Sequence, residues 1–285
     1  MMKQQIIACV DGSNSTPAVC QWAAWAATQL QAPLTLLHVL TQPTTVTTAD
    51  WSGSIGLGSQ EALLAQLVEL DLQRNKLAQE QGKHLLQAAR HIIQTHQTTG
   101  HELVIKSSQR HGELPDALQA LEADTRLVIL GRQGEQQASS YRQVGSELES
   151  VIRVLHTPIL MALPAFKTPT RVMFAYDGSS AGRSALNRLT ISPLLQGLHC
   201  DLVMVDGEPL QLEEAKALLQ AAGVQVTPYA LTGDVETALL RHIAAEHIDL
   251  VIMGAYGHSR LRQFLLGSHT SRMLSQSPVP LLLLR

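Results

Sequence analysis

The sequence predicts an α/β protein made of two doubly wound parallel-sheet domains in tandem, and three observations predict it. Short apolar runs alternate with longer stretches of helical period along the whole chain, as expected of a parallel sheet covered on both faces. The first run, Ile6-Ile7-Ala8-Cys9-Val10 into Asp11-Gly12-Ser13, returns as Val172-Met173-Phe174-Ala175-Tyr176 into Asp177-Gly178-Ser179. Further on, Leu127-Val128-Ile129-Leu130-Gly131 returns as Leu250-Val251-Ile252-Met253-Gly254. Internal similarity on this scale marks a duplicated unit. It also lets one copy be read against the other.

In the first copy, apolar runs predict strands at Gln5–Val10, Leu34–Val39, Leu103–Ile105, Leu127–Leu130 and Ile159–Ala162. Helical periodicity between them predicts helices near Pro17–Leu30, Glu61–Gln94, Glu113–Leu121 and Ser146–Leu155. The second copy repeats the plan with strands at Val172–Tyr176, Cys200–Val205, Val224–Tyr229, Leu250–Met253 and Leu281–Leu284. Its helices fall near Ala181–Leu189, Leu210–Ala222, Val235–Ala245 and Ser268–Leu274. Trp22, Trp25 and Leu30 fit a helix face packed on the sheet. Pro164 to Pro169 reads as a linker, which divides the chain into domains 1–164 and 169–285. The first copy is the longer. Its surplus lies in the Thr/Ser/Gly-rich stretch Thr41 to Ser59 and in the long segment Glu61 to Gln97, opposite the short Leu210 to Ala222.

Composition narrows the function classes. A length of 285 residues supplies two cores of ordinary domain size. With aromatic residues at only 4%, alanine and leucine must fill the interior. A formal net charge of −3 gives no reason to expect nucleic acid or a membrane surface as partner. No apolar run reaches the ~20 residues needed to span a bilayer. Cys9, Cys20 and Cys200 are odd in number and lack metal-type spacing, so a reducing compartment, the cytosol, is the expected address.

The chemically richest segment is Gly254-Ala-Tyr256-Gly257, nine residues, then Gly267-Ser268. A strand ends at Met253, a glycine-relaxed loop follows, and a helix is expected to start at about Ser268. A helix start presents unpaired backbone N–H groups and a partial positive charge, which together attract phosphate. Glycines let backbone approach a ligand without a Cβ between. Ser268 and Thr270 add hydroxyl donors, with His269 between them, and Arg260 and Arg262 lie within the loop. Read blandly, the glycines are turns and Ser268 is an N-cap. Against that, the segment follows one strand as Asp177 follows another, and open α/β sheets bind ligands beyond the carboxyl ends of their strands.

On these residues both halves resemble the universal stress protein family, whose ATP-binding members carry Gly-x2-Gly-x9-Gly-Ser/Thr near the C-terminus. Gly254, Gly257, Gly267 and Ser268 match that pattern, and the resemblance covers nearly the whole chain. It implies a five-stranded parallel sheet of order 3-2-1-4-5 in each half, so that Asp177 and Gly254 flank one crevice. It also implies ATP as ligand, with Asp177 near phosphate or its magnesium and Val205, ending the second strand, near adenine. Met253, Tyr256, His269 and Thr270 complete the expected site. Family members pair through their last strands; here Ile159–Ala162 and Leu281–Leu284 supply one each, implying an intrachain pseudo-dimer. Another surface then remains for a homodimer.

The first copy departs from the pattern. Asp11 and Val39 hold the corresponding positions, and Gly131-Arg-Gln-Gly134 keeps the first glycine pair. Ten residues, not nine, then precede Gly145-Ser146, and Glu147 stands where the second copy has His269. An inward carboxylate would repel phosphate by ~4 kcal/mol at ~4 Å and an effective dielectric of ~20. The first site is expected to be the weaker.

Other signals point less far. The pairs His84/His91 and His242/His247 do not give a two-ligand helix spacing, so packing or surface roles are expected. Asp11 with Ser13 and Asp177 with Ser179 have no histidine nearby in sequence to form a nucleophile's partner. Gly53, Gly56 and Gly58 make the insert a solvent loop or lid. Three functions compete: a regulatory ATP-binding stress-response protein, a slow magnesium-dependent ATPase, and an interaction module without nucleotide. The intact glycine pattern favours the first over the third. The want of an evident base for water favours it over the second.

Overall fold

The computed structural model describes residues 5–40, 57–96, 103–133, 146–254 and 268–284, with the side chains of 57–65, 146, 268 and 269 left aside. The first half runs β1 (Gln5–Cys9), α1 (Thr16–Leu30), β2 (Leu34–Leu40), α2 (Leu57–Thr95), β3 (Ile105–His111), α3 (Leu114–Gln119), β4 (Thr125–Gly131), α4 (Ser146–Val154) and β5 (Ile159–Ala162). The second runs β6 (Arg171–Ala175), α5 (Ser180–Ile191), β7 (His199–Val205), α6 (Pro209–Ala221), β8 (Gln225–Leu231), α7 (Val235–Ala245), β9 (Leu250–Gly254), α8 (Ser268–Gln276) and β10 (Leu281–Leu284).

The strands form one ten-stranded sheet of order β3-β2-β1-β4-β5-β10-β9-β6-β7-β8. Each half therefore has the expected order, and among the described residues the antiparallel pair is the one joining the halves. There Leu281 faces Met161, Leu282 faces Leu160 and Leu283 faces Ile159. All eight residues of β5 and β10 are buried. An edge this apolar invites association, and here each copy covers the other's. Two hydrophobic layers flank the sheet, and both run without a break across the junction. One lies under α1, α2, α5 and α6, where Ile6, Ile129 and Leu160 meet Leu282, Ile252 and Phe174. The other lies under α3, α4, α7 and α8, where Val128 and Met161 meet Leu281 and Val251.

Local chemistry explains most element boundaries. Pro17 sits in the first turn of α1 and Pro209 in that of α6, where a missing N–H costs nothing. Ser179 and Asp234 cap α5 and α7 by accepting from Gly182 N at 3.0 Å and Thr237 N at 3.0 Å. Strand β3 departs from expectation. The apolar run Leu103–Ile105 only leads into it, and the strand itself is the polar Ile-Lys-Ser-Ser-Gln-Arg-His. It is an edge strand paired with β2 alone. Its register carries polar side chains because little of it needs burying.

Contacts that periodicity does not reveal reinforce the junction. Phe166 from the linker packs edge-on against Trp22, which in turn meets Trp25, both at 5.2 Å between ring centroids. Asp249, at the foot of β9, accepts from Lys167 Nζ at 2.6 Å, Thr170 N at 2.8 Å, Thr170 Oγ1 at 3.0 Å and Arg171 N at 3.2 Å. Burial alone would raise the Asp249 pKa, but bonds from Lys167, Thr170 and Arg171 outweigh it and hold the carboxyl below its ordinary range. Asp249→Ala should therefore destabilise the fold at neutral pH by about 1–3 kcal/mol, since it removes a buried carboxylate that accepts four hydrogen bonds. A group with a depressed folded pKa contributes fully above the unfolded value, about 4 for aspartate, and loses its contribution as pH falls through the folded value. Urea titrations should thus show the gap between native protein and variant closing in acid.

A second polar network sits in the sheet of the second half. Asp201, fully buried on β7, meets Arg171 Nε at 2.9 Å and His242 Nε2 at 2.8 Å. At the matching positions the first half has a neutral pair, with Thr35 Oγ1 donating to Gln5 Oε1 at 2.6 Å. His242 is thus a buried partner of Asp201.

Candidate functional site

The two Asp-Gly-Ser turns lie at the carboxyl ends of β1 and β6. Each of those strands has its neighbours on opposite sides of the order, β2 with β4 and β7 with β9. Such a reversal opens a crevice above the sheet. In the second half it is bounded by Asp177 and by Gly254, the last residue of β9.

Asp177 is exposed and held in place by its own turn. Ser179 donates to Asp177 Oδ1 from its N at 3.0 Å and from its Oγ at 2.7 Å. Gly178 has a φ of +67°, a left-handed conformation suited to glycine. Arg183 donates to the carbonyl of Gly178. Gly182 is the residue that sequence reasoning missed. A Cβ there would lie 2.4 Å from Asp177 Oδ1, so any side chain must displace the carboxylate. The signal was present in the internal comparison, where the first copy has Thr16. That threonine's hydroxyl donates to Asp11 Oδ1 at 3.2 Å and accepts from Gly12 N at 3.2 Å.

Gly254 is needed for close approach. A Cβ on it would meet the backbone C and O of Ala181 at 3.1 Å and Gly182 N at 3.2 Å. On Gly131 it would meet Ser15 Cβ at 2.7 Å. In both halves the first loop glycine is pressed against the helix that follows the aspartate. This contact accounts for glycine at the two positions, and it brings the start of each loop over the first turn of α1 or α5.

The helices α4 and α8 begin at Ser146 and Ser268, as the pattern predicts. Tyr256, Gly257 and Gly267 lie outside the described residues, as do Arg260, Arg262, Gly134 and Gly145; for Ser146, Ser268 and His269 the helical backbone is described. Met253 and Thr270 are buried. Val205 and Val39, ending β7 and β2, are partly buried against the core layer of α3, α4, α7 and α8.

Electrostatics separate the two copies. Partial burial pushes the Glu147 carboxyl above its ordinary pKa, and the nearby Asp11 and Glu113 push the same way. Cys9 feels the same field: burial raises its thiol first, then Asp11 and Glu147. Asp11 and Glu113 therefore both act on Glu147 beside the first crevice. Arg132, in the first loop, donates to the carbonyl of Ser277 at 3.1 Å, so it links the loop to the second half. Among the described residues no group of His, Cys, Asp or Glu could hold a metal ion by itself. Burial pushes the free thiols of Cys20 and Cys200 up to about 12, which makes them poor nucleophiles. No helix among the described residues is long and apolar enough to cross a membrane.

Comparison with known proteins agrees with this architecture. The model of the universal stress protein family matches residues 2–162 and 197–285. Universal stress protein Slr1230 of Synechocystis is 34% identical over 290 residues, covering 99% of this chain and 100% of the relative. A universal stress protein of Mycolicibacterium smegmatis is 23% identical over 302 residues, covering 98% of this chain and 96% of its own. The crystal structure of a universal stress protein from Archaeoglobus fulgidus superposes with a TM-score of 0.72 at 17% identity, over 100% of this chain and 99% of that one, a likeness of fold. With the fold, the paired Asp-Gly-Ser turns and both matched segments in agreement, the chain belongs to the universal stress protein family.

Proposed function

We propose that this chain is a regulatory, ATP-binding stress-response protein whose nucleotide occupies the crevice of the second half. The observation that carries the reading is the juxtaposition of Asp177 and Gly254. Both stand at the strand-order reversal, one on a fixed turn and the other pressed on the first turn of α5. In sequence the glycine-rich segment then joins Gly254 to the start of α8, and a helix start offers unpaired N–H groups to an anion. The residues fit the ligand. Asp177 offers an exposed carboxylate of the kind magnesium prefers beside phosphate, and Val205 and Met253 offer apolar contact for adenine. Gly254, Tyr256, Gly257, Gly267, Ser268, His269 and Thr270 would hold the phosphates.

The corresponding first-half set, Asp11, Val39, Gly131, Gly134, Gly145 and Ser146, is proposed as the weaker site, because Glu147 and Glu113 add negative charge where phosphate would sit. The motif supplies no base for water, so binding takes precedence over hydrolysis. The three buried free thiols are in keeping with a cytoplasmic setting. Isothermal titration with ATP tests the site. Ser268→Ala should weaken binding roughly 5- to 150-fold, because a hydroxyl bond to a charged acceptor is worth about 1–3 kcal/mol. Circular dichroism should not change. An unaltered dissociation constant would place the phosphates elsewhere.

A further inference from the structure

The strand order makes the two halves pseudo-twofold copies about the β5–β10 pair, where Leu160 faces Leu282. Residues that correspond across this axis can be compared by their surroundings. At the foot of β9, Asp249 receives Lys167 Nζ at 2.6 Å, and the neighbouring Phe166 packs on Trp22 of α1. The linker thus fills one side of the junction with a ring and a cation. On the other side lies a cavity of about 490 Å³, within the range of small-molecule sites. Its place is the symmetric one. Arg126 precedes Leu127 of β4 as Asp249 precedes Leu250 of β9, and Arg188 stands nine residues after Ser179 as Trp22 does after Ser13. Both arginines line the cavity.

We propose that this cavity binds a small amphipathic anion, an aromatic-sized apolar body bearing one carboxylate or phosphate. Leu127 from the first half and Leu189, Leu282 and Leu284 from the second give it a buried apolar wall. Where α1 offers Trp22, backed by Trp25, α5 has the slimmer Arg188 and Ile191, which leaves room for a ring like that of Phe166. Charge is reversed from the linker's side: there a carboxylate receives Lys167, and here the matching group is the Arg126 guanidinium. Arg126 gives one long bond, from Nη1 to the carbonyl of Leu30 at 3.4 Å. Arg188 makes no hydrogen bond or ion pair among the described residues. Both keep donors for a ligand, and a guanidinium suits carboxylate and phosphate alike. The carboxylate in the lining, Glu122, is already engaged: its Oε1 accepts from Thr157 N at 3.0 Å, Thr157 Oγ1 at 3.3 Å and His156 N. The lining shares no residue with either Asp-Gly-Ser crevice, so the site is separate from the proposed nucleotide site.

Isothermal titration of the full-length protein with two probes of similar size tests this. Indole-3-propionate carries an anion on the indole ring, and tryptamine a cation. The carboxylate should bind with a dissociation constant below about 1 mM, as befits a ligand of this size, and the amine about tenfold more weakly or worse. Arg188→Glu should weaken binding of the carboxylate by about tenfold or more. Its melting temperature should hold, because the side chain is exposed and unbonded in the fold. Arg126→Asp installs the charge that Asp249 has on the other side, and should reverse the preference so that tryptamine binds the tighter. Should that variant fail to fold, Arg188→Glu decides alone. No uptake of indole-3-propionate at several millimolar, equal affinity for the two probes, or binding indifferent to Arg188→Glu would overturn the site. A folded Arg126→Asp protein that still prefers the carboxylate would overturn the role of Arg126.

Discussion

Replacing Gly257 and Gly267 together by valine is expected to abolish tight ATP binding. Phosphate at a helix start is held by backbone N–H groups that must come within hydrogen-bond distance. A valine side chain at either position would stand between backbone and ligand, and its β-branch narrows the conformations open to the loop. The equivalent pair Gly134→Val and Gly145→Val should have the smaller effect, because the first copy has a longer loop and a Glu147 carboxyl that lies in the field of Asp11 and Glu113. Titration of ATP into both double variants decides between the halves. A greater loss from the first-half change would reverse the assignment.

The second large effect concerns the junction. The second half expressed alone, from about Thr168 to the C-terminus, should dimerise or aggregate at micromolar concentration. In the whole chain β10 gives its outer edge to β5, and its four leucines are buried in layers that continue into the first half. Separation exposes that edge together with the apolar side chains beneath it. Burial of a leucine is worth about 1.5–3 kcal/mol, so re-covering even two of them drives association. A soluble, stable monomer would count against β5–β10 pairing as the contact that organises the molecule.

Most of the fold could be read in the sequence because the sheet is buried on both faces. Central strands such as Val172–Tyr176 and Leu250–Met253 must be continuously apolar, and such runs stand out. Strand β3 did not stand out, for its edge position leaves Lys106, Ser107 and Gln109 without any demand for burial. The linker's hold on Asp249 was hidden for another reason. It joins residues about eighty apart, and no periodicity records a long-range polar contact. At the site, duplication made Asp177 and Gly254 visible by repetition. Gly182 escaped because the repeat differs there: Thr16 bonds to its aspartate, while Gly182 makes room for one. The reason for Gly254 was only partly legible. Its backbone approach is to Ala181 and Gly182, a packing contact that a sequence motif cannot separate from a ligand contact.

The central claim is that the second half carries adenine nucleotide, and its most direct test needs no variant. Full-length protein, purified without added nucleotide and then denatured, can be analysed by mass spectrometry for released small molecules, with ATP titrated into any nucleotide-free fraction. Adenine nucleotide is expected, at close to one per chain, carried through purification or taken up on titration. Protein that releases no adenine nucleotide and takes up no ATP at millimolar concentration, with or without magnesium, would contradict the account.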